Sequence, residues 1–287
     1  MKIAILTLLL LVIPLQHVCA EVELKDSKVT LDKVEINQYS LDFTGDLFID
    51  EKKLSVLIDM LEEKIYKAPV NASIGENGKI IEEKPGVTID SDHFQVLFRE
   101  AFYDDAIKKL EVPKKAVYPR IDTALINEIH RKELGSFVTH FKETNVERSH
   151  NIGLAADAIN SHVVFPGEVF SFNDVVGERT KEKGYKRAPV IVRGELADDI
   201  GGGICQVSST LFNAVDLKGI QIMERYAHSR SVPYVPLGRD ATVSWWGPDF
   251  VFKNMYNQPI LIRAHSKNGK MIVRIFSSED VDFFSGK

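Results

Sequence analysis

The 287-residue sequence contains little cysteine, no excess of positive charge and no long apolar run. Its two cysteines can form one disulfide at most, which excludes a small fold held together mainly by disulfides. Lysine and arginine number 36 against 41 aspartate and glutamate, so we expect no basic surface for nucleic acid. The apolar run from Ile3 to Leu15 is shorter than the roughly 20 residues that span a bilayer.

The first residues follow the pattern of a secretory signal peptide. Lys2 precedes the apolar run, and Val18-Cys19-Ala20 supplies the small residues of a cleavage site. We therefore predict a signal peptide at residues 1–20, an exported protein and no membrane contact after cleavage. Retention of the segment as a tether and lipid attachment at Cys19 are the alternatives. Cleavage would leave one cysteine in the chain, which excludes an internal disulfide.

Residues 21–134 form the first predicted domain, a small α+β module. In "LFIDEKKLSVLIDMLEEKIYKAP" a short strand ends at Ile49, Asp50 caps a helix, and apolar residues recur at helical spacing. The pattern returns in "GVTIDSDHFQVLFREAFYDDA", with Ile89 and Asp90 in the equivalent places. Two strand-cap-helix units of this kind indicate a weak internal repeat.

A hairpin and a third helix complete this module. Asn77-Gly78 predicts the hairpin turn, and the third helix is expected from Asp122 to about Glu133. The module resembles the peptidoglycan-binding domain that precedes catalytic domains in some Gram-positive envelope proteins, including certain L,D-transpeptidases. The resemblance rests on the repeated "ID" before a helix and on "GKIIEEKPGVTID". It implies a wall-binding role, and a spacer without a ligand is the alternative.

Residues 135–287 form the second predicted domain, which is richer in glycine, proline and aromatic residues. Helices are predicted at about 151–160 and at about 205–217. Alternating apolar residues predict strands in "LGSFVTHF", "GEVFSF", "RAPVIVR", "IQIMERYAH", "FVFKNMYNQPILIRAHS" and "GKMIVRIFSS". Mixed strands around one principal helix make the fold class α+β.

The stretch "DDIGGGICQVSSTLFNAV" places Cys205 directly after three glycines and at the start of a predicted helix. A thiol in the first helical turn lies near unpaired N–H groups and the positive end of the helix dipole, which lowers its pKa. The glycines let the backbone approach a substrate, and the N–H groups around Cys205 are candidates for an oxyanion hole. No phosphate-binding loop is predicted, because neither Lys-Ser nor Lys-Thr follows the glycines. These are the ingredients of acyl transfer by a cysteine.

A general base and its orienting group are predicted downstream of the cysteine. A cysteine nucleophile needs a base, and the base usually needs a group that fixes its orientation. Cys205 on a helix, His228 after the next strand and Asp240 at the start of another strand resemble the element order of papain-like and transglutaminase-like enzymes. That order predicts Cys205 as nucleophile, His228 as base and Asp240 as orienting group.

Further residues around the motif are predicted to bind substrate through backbone, hydroxyl, amide, charged or aromatic groups: Gly201, Gly202, Gly203, Gln206, Ser208, Ser209, Arg239 and Trp245. The serines equally suit hydrogen bonds within their own helix. Trp245, Trp246 and Tyr234 either stack on sugar faces or pack in the protein.

Each member of the predicted triad also has a structural interpretation. Cysteine is one of the most buried residue types, and a single histidine is more often a surface or core residue than a base. Asp240 could instead pair with Arg230 or Arg239. A zinc site built from Cys205, His228 and an aspartate was weighed against the absence of any close Cys or His pair, and we predict no metal and no cofactor.

The two carboxylates just before the glycines bear on the same question. Asp198 and Asp199 would raise the pKa of a nearby thiol unless they point away from it.

Several motifs of the second domain occur in one order: "LGSF", "SHNIGLAADAIN", "PGEVFSFNDVVGERTKEKGYKRAPVI", "GGGICQVSSTLFNA", "HSRSVPYVPLGRDATVSWWGPDFVFKN" and "QPILIRA". Together they resemble the VanW family, known from glycopeptide-resistance clusters and from exported bacterial envelope proteins. The resemblance implies a cell-envelope protein whose partner is peptidoglycan or its precursors. We predict cysteine-dependent acyl transfer or amide hydrolysis. The alternatives are a noncatalytic wall-binding or scaffolding protein and an accessory of a resistance or sporulation complex.

Overall fold

A computed structural model describes residues 21–44, 47–75, 77–192 and 195–283. The predicted signal peptide, Cys19 and Arg193 lie outside the described residues. The helices within these ranges are α1 (Glu51–Ile65), α2 (Ser91–Tyr103), α3 (Thr123–Ile129), α4 (Val146–Ile159), α5 (Phe172–Val176) and α6 (Ile204–Val215). The strands are β1 (Glu21–Asp26), β2 (Val29–Glu35), β3 (Ser73–Ile74), β4 (Ile80–Ile81), β5 (Gly86–Ile89), β6 (Lys109–Glu111), β7 (Lys114–Val117), β8 (Lys132–His140), β9 (His162–Val164), β10 (Val169–Ser171), β11 (Arg187–Val192), β12 (Glu195–Ile200), β13 (Ile220–Glu224), β14 (Val251–Asn254), β15 (Ile260–Lys267) and β16 (Lys270–Ser277). This mixture confirms the predicted α+β class.

The chain divides into two compact units. The first unit contains the described residues up to Val70 together with Pro85–Tyr118, and the second contains Asn71–Lys84 and Pro119 onward. The sequence division at residue 134 places the hairpin and α3 in the first domain, whereas the contacts group both with the second unit. The reason is packing, because Ile74 and Ile126 share a buried apolar cluster with Val163 and Leu261.

In the first unit, α1 and α2 pack against short strands. Strand β1 pairs with β2 in antiparallel and with β6 in parallel orientation, and β5 pairs with β7 in antiparallel orientation. Both predicted caps are present, because the carboxylate of Asp50 accepts from the N–H groups of Lys52 and Lys53 and that of Asp90 accepts from His93. The predicted repeat is imperfect: Ile89 ends a strand, whereas Ile49 makes an isolated bridge to Ser40.

The second unit is built on an antiparallel sheet in the order β8-β16-β15-β9. Successive side chains of a strand point to opposite faces, so the sheet has two apolar sides. One side, including Ile260 and Ile262, packs with α4 and α6 in the main core. The other side, including Leu261, packs with α3 and the β3–β4 hairpin. Two helices, rather than the one principal helix expected, therefore cover the main face.

Two smaller sheets complete this unit. Strand β14 pairs with β10 and β13, and β11 pairs with β12 as a separate antiparallel ribbon that leads directly into the three glycines. The prediction of one continuous strand in "FVFKNMYNQPILIRAHS" is wrong: it contains β14 and β15, which belong to different sheets. The side chain of Asn254 ends β14 by bonding the carbonyl of Gln258 and the N–H of Tyr256.

Two local predictions also differ from the structure. Phe172 was expected to continue the strand of Phe170, but it begins α5, which is capped by the Ser171 hydroxyl. Asp240 was expected at the start of a strand, but it lies in irregular chain beside the isolated Tyr226–Thr242 bridge.

Candidate active site

Cys205 is the second residue of α6, as the glycine motif indicates. Gly201 and Gly203 have φ values of 87° and 109°, in the left-handed region that favours glycine, and they turn the chain from β12 into the helix. Helix α6 is buried along almost its whole length, which fixes its position in the core. Cys205 itself is partly buried and faces a cavity.

The three glycines hold the turn tightly against its surroundings. A Cβ atom at Gly202 would lie 2.4 Å from the carbonyl oxygen of Ala188 in β11, which leaves no room for a side chain. A Cβ atom at Gly201 would lie 3.2 Å from Cβ of Arg179, and one at Gly203 would lie 2.9 Å from Cγ of Arg148. Gly201 and Gly203 line the cavity, whereas Gly202 packs behind it. The glycines thus make room for protein atoms on every side.

His228 lies at the cavity wall with Cys205 and is held by hydrogen bonds to Asp240. Oδ2 of Asp240 accepts from Nδ1 of His228 at 2.6 Å and from its backbone N–H at 2.6 Å. The imidazole also acts on the Cys205 thiol, since each group shifts the pKa of the other, and because Nδ1 is occupied by Asp240, Nε2 is the nitrogen left for sulfur. The His228 side chain is only 5% exposed and that of Asp240 10%, so water competes little for these bonds.

The chain around Asp240 is tied to α6 by two buried serines. The Ser208 hydroxyl donates to the carbonyl of Ala241 at 2.6 Å, and the Ser209 hydroxyl accepts from the N–H of Ala241 at 2.9 Å. Both hydroxyls also contact the carbonyl of Cys205, at 3.1 and 2.7 Å. Two further contacts reach the sulfur: Sγ lies 3.4 Å from the carbonyl oxygen of Val243 and 3.7 Å from the hydroxyl of Thr242.

The pKa values of the three groups shift in the directions that favour a thiolate beside an imidazolium. Burial raises the pKa of Cys205, but His228 together with the contacts to Val243 and Thr242 lowers it by more than that, so the net shift is downward. Burial lowers the pKa of His228, and its bonds to Cys205 and Asp240 raise it above the ordinary value. Burial raises the pKa of Asp240, whereas the two N–H groups of His228 bring it below its usual range.

The carboxylates before the glycines do not oppose the thiolate. Asp198 and Asp199 are both exposed, and neither is among the groups that shift the pKa of Cys205. Asp199 lines the cavity, where its carboxylate accepts from the N–H of Ile200 at 2.8 Å.

The cavity beside Cys205 has a volume of about 1090 Å³ and lies entirely within the second unit. Its wall contains both tryptophans of the chain, of which Trp246 is 87% exposed. Tyr234 also lines it, and burial, followed by the charge of Cys205, raises its pKa above the usual range. Trp245, which is predicted to bind substrate, lines this cavity, and its role stays a prediction.

Four of the predicted substrate-binding side chains offer no free hydrogen-bonding group to this cavity. Both amide hydrogens of Gln206 are used, one on the Thr139 hydroxyl and one on the carbonyl of His140. Ser208 and Ser209 are fully buried in the ties to Ala241 described above. Arg239 lies elsewhere, with its guanidinium bonded to Asn213 and Asp216. For Gln206, Ser208 and Ser209 the short sequence distance from Cys205 misled the prediction, because a buried helix exposes few of its residues.

Several cavity residues were missed by the sequence reasoning, above all Arg148 and Arg179. The Arg148 guanidinium bonds Oε1 of Gln206 at 2.7 Å, and that of Arg179 bonds Oδ1 of Asn173 at 2.7 Å. The sequence motifs point to both arginines in part. Arg148 directly precedes "SHNIGLAADAIN", and Arg179 lies within "PGEVFSFNDVVGERTKEKGYKRAPVI". Nothing in the spacing connected these motifs to Cys205.

The backbone N–H of Cys205 has no acceptor among the described residues, whereas those of Ile204 and Gln206 bond Gly201 and Gly203. Over the described ranges there is no cluster of three or more His, Cys, Asp or Glu side chains arranged to hold a metal ion. The helices in those same ranges are too short or too polar to cross a membrane.

These observations define a class of protein: an α+β domain in which a cysteine at the wall of a cavity lies beside a histidine that is hydrogen-bonded to an aspartate. Residues 147–276 match the family model described as VanW like protein, and residues 23–105 match the one described as "Putative peptidoglycan binding domain".

Two relatives extend the comparison. The chain is 50% identical over 253 residues to the uncharacterized protein YoaR of Bacillus subtilis strain 168, covering 88% of this chain and 84% of YoaR. It is 30% identical over 134 residues to the vancomycin B-type resistance protein VanW of Enterococcus faecalis, covering 45% of this chain and 49% of VanW. No solved structure matches the chain. The chain belongs to the VanW-like family and carries an N-terminal peptidoglycan-binding domain, which indicates a cell-wall-associated function.

Proposed function

We propose that this chain is an exported cell-envelope protein whose second unit transfers or hydrolyses an acyl group of peptidoglycan or its precursors through Cys205. The observation that carries the proposal is the hydrogen bond between Nδ1 of His228 and Asp240 at the cavity wall, which orients an imidazole that lowers the pKa of Cys205. A partly accessible thiol with a lowered pKa, next to an oriented imidazole, is the arrangement of an activated cysteine nucleophile.

The chemistry follows from these positions. The Cys205 thiolate attacks the carbonyl carbon of a peptide bond, and a C–S bond forms as the electron pair of the C=O moves onto oxygen. The negative oxygen is stabilised by the free N–H of Cys205. When the C–N bond breaks, the imidazolium of His228 gives its proton to the departing amine, which leaves a thioester. An incoming amine or water then attacks the thioester, His228 accepts its proton, and the thiolate is restored.

The choice of peptidoglycan rests on the family models and on the cavity. A cavity of about 1090 Å³ admits a branched peptide or a short glycan, and the exposed ring of Trp246 offers an apolar face to a sugar. The peptidoglycan-binding domain at residues 23–105 would keep the second unit close to a polymeric substrate, which raises its local concentration.

Export is the part of the proposal that rests on the sequence alone. The apolar run and small-residue site at residues 1–20 motivate it. Full-length protein produced in a Gram-positive bacterium should appear outside the cytoplasm with Glu21 as its first residue. Cytoplasmic retention of the full-length chain would contradict export.

Substitution of the thiol tests the reaction. The chain from Glu21 onward, with either wild-type Cys205 or Cys205→Ser, is incubated with purified muropeptides, and products are separated by mass spectrometry. We expect new cross-linked or shortened muropeptides from the wild type and none from Cys205→Ser or Cys205→Ala. Met223→Ala, an exposed residue outside the cavity, serves as the control and should retain activity. Equal processing by Cys205→Ala would exclude the nucleophile role.

Noncatalytic wall binding is the second candidate, favoured by the peptidoglycan-binding domain. In this case the protein binds sacculi, Cys205→Ala binds as well as the wild type, and no product is released by either. Sedimentation with purified sacculi, followed by analysis of soluble products, separates the two functions.

A further inference from the structure

Two arginine side chains stand at the cavity wall on either side of the turn that precedes Cys205. Arg148 belongs to α4 and Arg179 follows α5, and both line the cavity together with the thiol. Burial lowers the pKa of both, and the charge of Cys205 acts in the opposite direction on each. Both guanidinium groups are therefore within electrostatic reach of the sulfur, and arginine keeps its positive charge even when buried.

The stems of the two arginines are positioned by the glycines themselves. Cβ and Cγ of Arg179 pack where Gly201 has no side chain, and Cγ of Arg148 packs where Gly203 has none. Any larger residue at Gly201 or Gly203 would push an arginine away from the thiol. The glycines thus act on the cavity through the two cations as well as through the backbone turn.

Neither guanidinium has an acidic partner within the described part of the chain. Arg148 bonds the neutral amide of Gln206, and Arg179 bonds the neutral amide of Asn173. Nη1 of Arg179 is buried and has no hydrogen-bond partner at all among the described residues. Buried polar groups are almost always paired, so a guanidinium nitrogen left unpaired in a side chain that lines the cavity indicates a missing acceptor.

The other charged groups of the wall do not supply that acceptor. Glu178 and Asp199 line the cavity but are exposed, and Asp199 already accepts from the N–H of Ile200. Lys142 adds a further positive group at the exposed edge.

Asp249 acts electrostatically on Arg179, but it does not line the cavity. Its carboxylate is bonded to the Ser171 hydroxyl and to the N–H of Asn173. No carboxylate of the described residues is therefore hydrogen-bonded to either arginine.

We propose that Arg148 and Arg179 form a carboxylate-binding subsite, so that the ligand held beside Cys205 is a peptide with a free carboxylate close to the bond that faces the thiol. The guanidinium fork matches a carboxylate in shape and charge, and the Arg179 side chain, which lines the cavity, still has a donor that no described protein group uses. This inference names the substrate class of the site. It rests on the proposed function in one respect, namely that the bond beside the thiol is the bond that reacts. The binding of the carboxylate is independent of any reaction.

The experiment uses the chain from Glu21 onward with Cys205→Ala, so that no turnover occurs. The two probes are soluble muropeptides and the same muropeptides after conversion of their carboxylates to amides. The readout is tryptophan fluorescence, because Trp245 and Trp246 are the two tryptophans of the chain and both line the cavity. Binding to the first unit therefore contributes little to the signal.

We expect the untreated muropeptides to bind at least about tenfold more tightly than the amidated ones, because amidation removes the charge-assisted hydrogen bonds to the carboxylate. Arg179→Gln in the same background should bind both probes with equal, weak affinity, and Arg179→Lys should recover part of the preference. Arg131→Gln, an exposed arginine outside the cavity, is the control and should keep the full preference.

Equal affinity for the two probes, or absence of binding by either, would overturn the subsite, and neither result depends on a variant that folds poorly. An Arg179→Gln protein that keeps the full preference would also overturn it. The proposed function fails separately: if Cys205→Ala processes muropeptides but the carboxylate preference persists, the subsite stands without the nucleophile. If Cys205 is essential but amidated muropeptides react equally well, the subsite alone is wrong.

Discussion

One carboxylate oxygen of Asp240 accepts two hydrogen bonds from His228, from the backbone N–H and from Nδ1 of the ring, each at 2.6 Å. The first bond fixes the chain at His228, and the second fixes the orientation of its ring. Together they present Nε2 to Cys205. Because both bonds are made to a carboxylate with little exposure to water, they should be stronger than bonds between neutral groups.

The first prediction concerns Asp240→Asn, which keeps the size of the side chain and removes its charge. We expect a loss of about 1–3 kcal/mol in the free energy of unfolding at mildly acidic pH, the cost of weakening buried charge-assisted bonds. Chemical denaturation at several pH values measures the difference between the wild type and the variant.

The difference in the free energy of unfolding between the wild type and Asp240→Asn should depend on pH. The direction of the change follows from the pKa shifts of Asp240 and His228. The lowered pKa of Asp240 stabilises the folded state above its ordinary value of 3.8, and this contribution is lost as pH falls through the folded pKa. The raised pKa of His228 stabilises the folded state below 6.5, and this contribution is lost as pH rises through the folded pKa. The difference between the two proteins should be largest at about pH 5. A difference that does not change with pH would show that the ion pair does not form.

The second prediction concerns the thiol. In His228→Ala the groups that lower the pKa of Cys205 most are gone, while burial still raises it. The midpoint of iodoacetamide alkylation against pH should therefore move upward, with about tenfold less thiolate at neutral pH for each pKa unit. His265→Ala, an exposed histidine of β15 outside the cavity, should leave the midpoint in place. An unchanged midpoint in His228→Ala would mean that another group sets the reactivity of the thiol.

The position of Cys205 at the start of α6 could be anticipated because its signal is local, whereas the grouping with His228 and Asp240 came from an analogy of element order. Three glycines before a helix fix the position of the cysteine, and a turn rich in glycine needs no long-range information to be recognised. The helix caps at Asp50, Asp90 and Asp122 are local in the same way. The roles of the three residues in a reaction stay predictions.

The remaining features depend on tertiary packing that no local pattern encodes. Arg148 and Arg179 reach the cavity because their stems fit against Gly201 and Gly203, which lie far along the chain from both. Gln206 was expected to face a substrate, and its position beside Cys205 gave no sign of the buried partners that take both its amide hydrogens. Burial of a whole helix cannot be read from the spacing of its polar residues.

The third prediction concerns Ser209, which joins α6 to the chain next to Asp240. In Ser209→Ala the buried N–H of Ala241 loses its acceptor, which should cost about 1–3 kcal/mol in the free energy of unfolding. The alkylation midpoint of Cys205 should also rise, because Asp240 is the neighbour of Ala241. Ser55→Ala, an exposed serine of α1, should change stability by less than about 0.5 kcal/mol. A Ser209→Ala protein as stable as the wild type would contradict the tie.

The fourth prediction separates the packing of the glycine turn from its chemistry. Gly202 has no left-handed backbone angle, so Gly202→Ala tests space alone. Its new Cβ atom would lie 2.4 Å from the carbonyl oxygen of Ala188 and 2.8 Å from that of Pro189, both backbone atoms of β11. Because backbone cannot rotate away as a side chain does, we expect the variant to lose about 1–3 kcal/mol in the free energy of unfolding.

Gly153→Ala is the matched control, since its Cβ atom on α4 meets nothing within 4 Å and should stabilise the helix by about 0.5–1 kcal/mol. Chemical denaturation of the two variants should therefore move in opposite directions, and a tolerated alanine at Gly202 would mean that β11 does not pack on the turn.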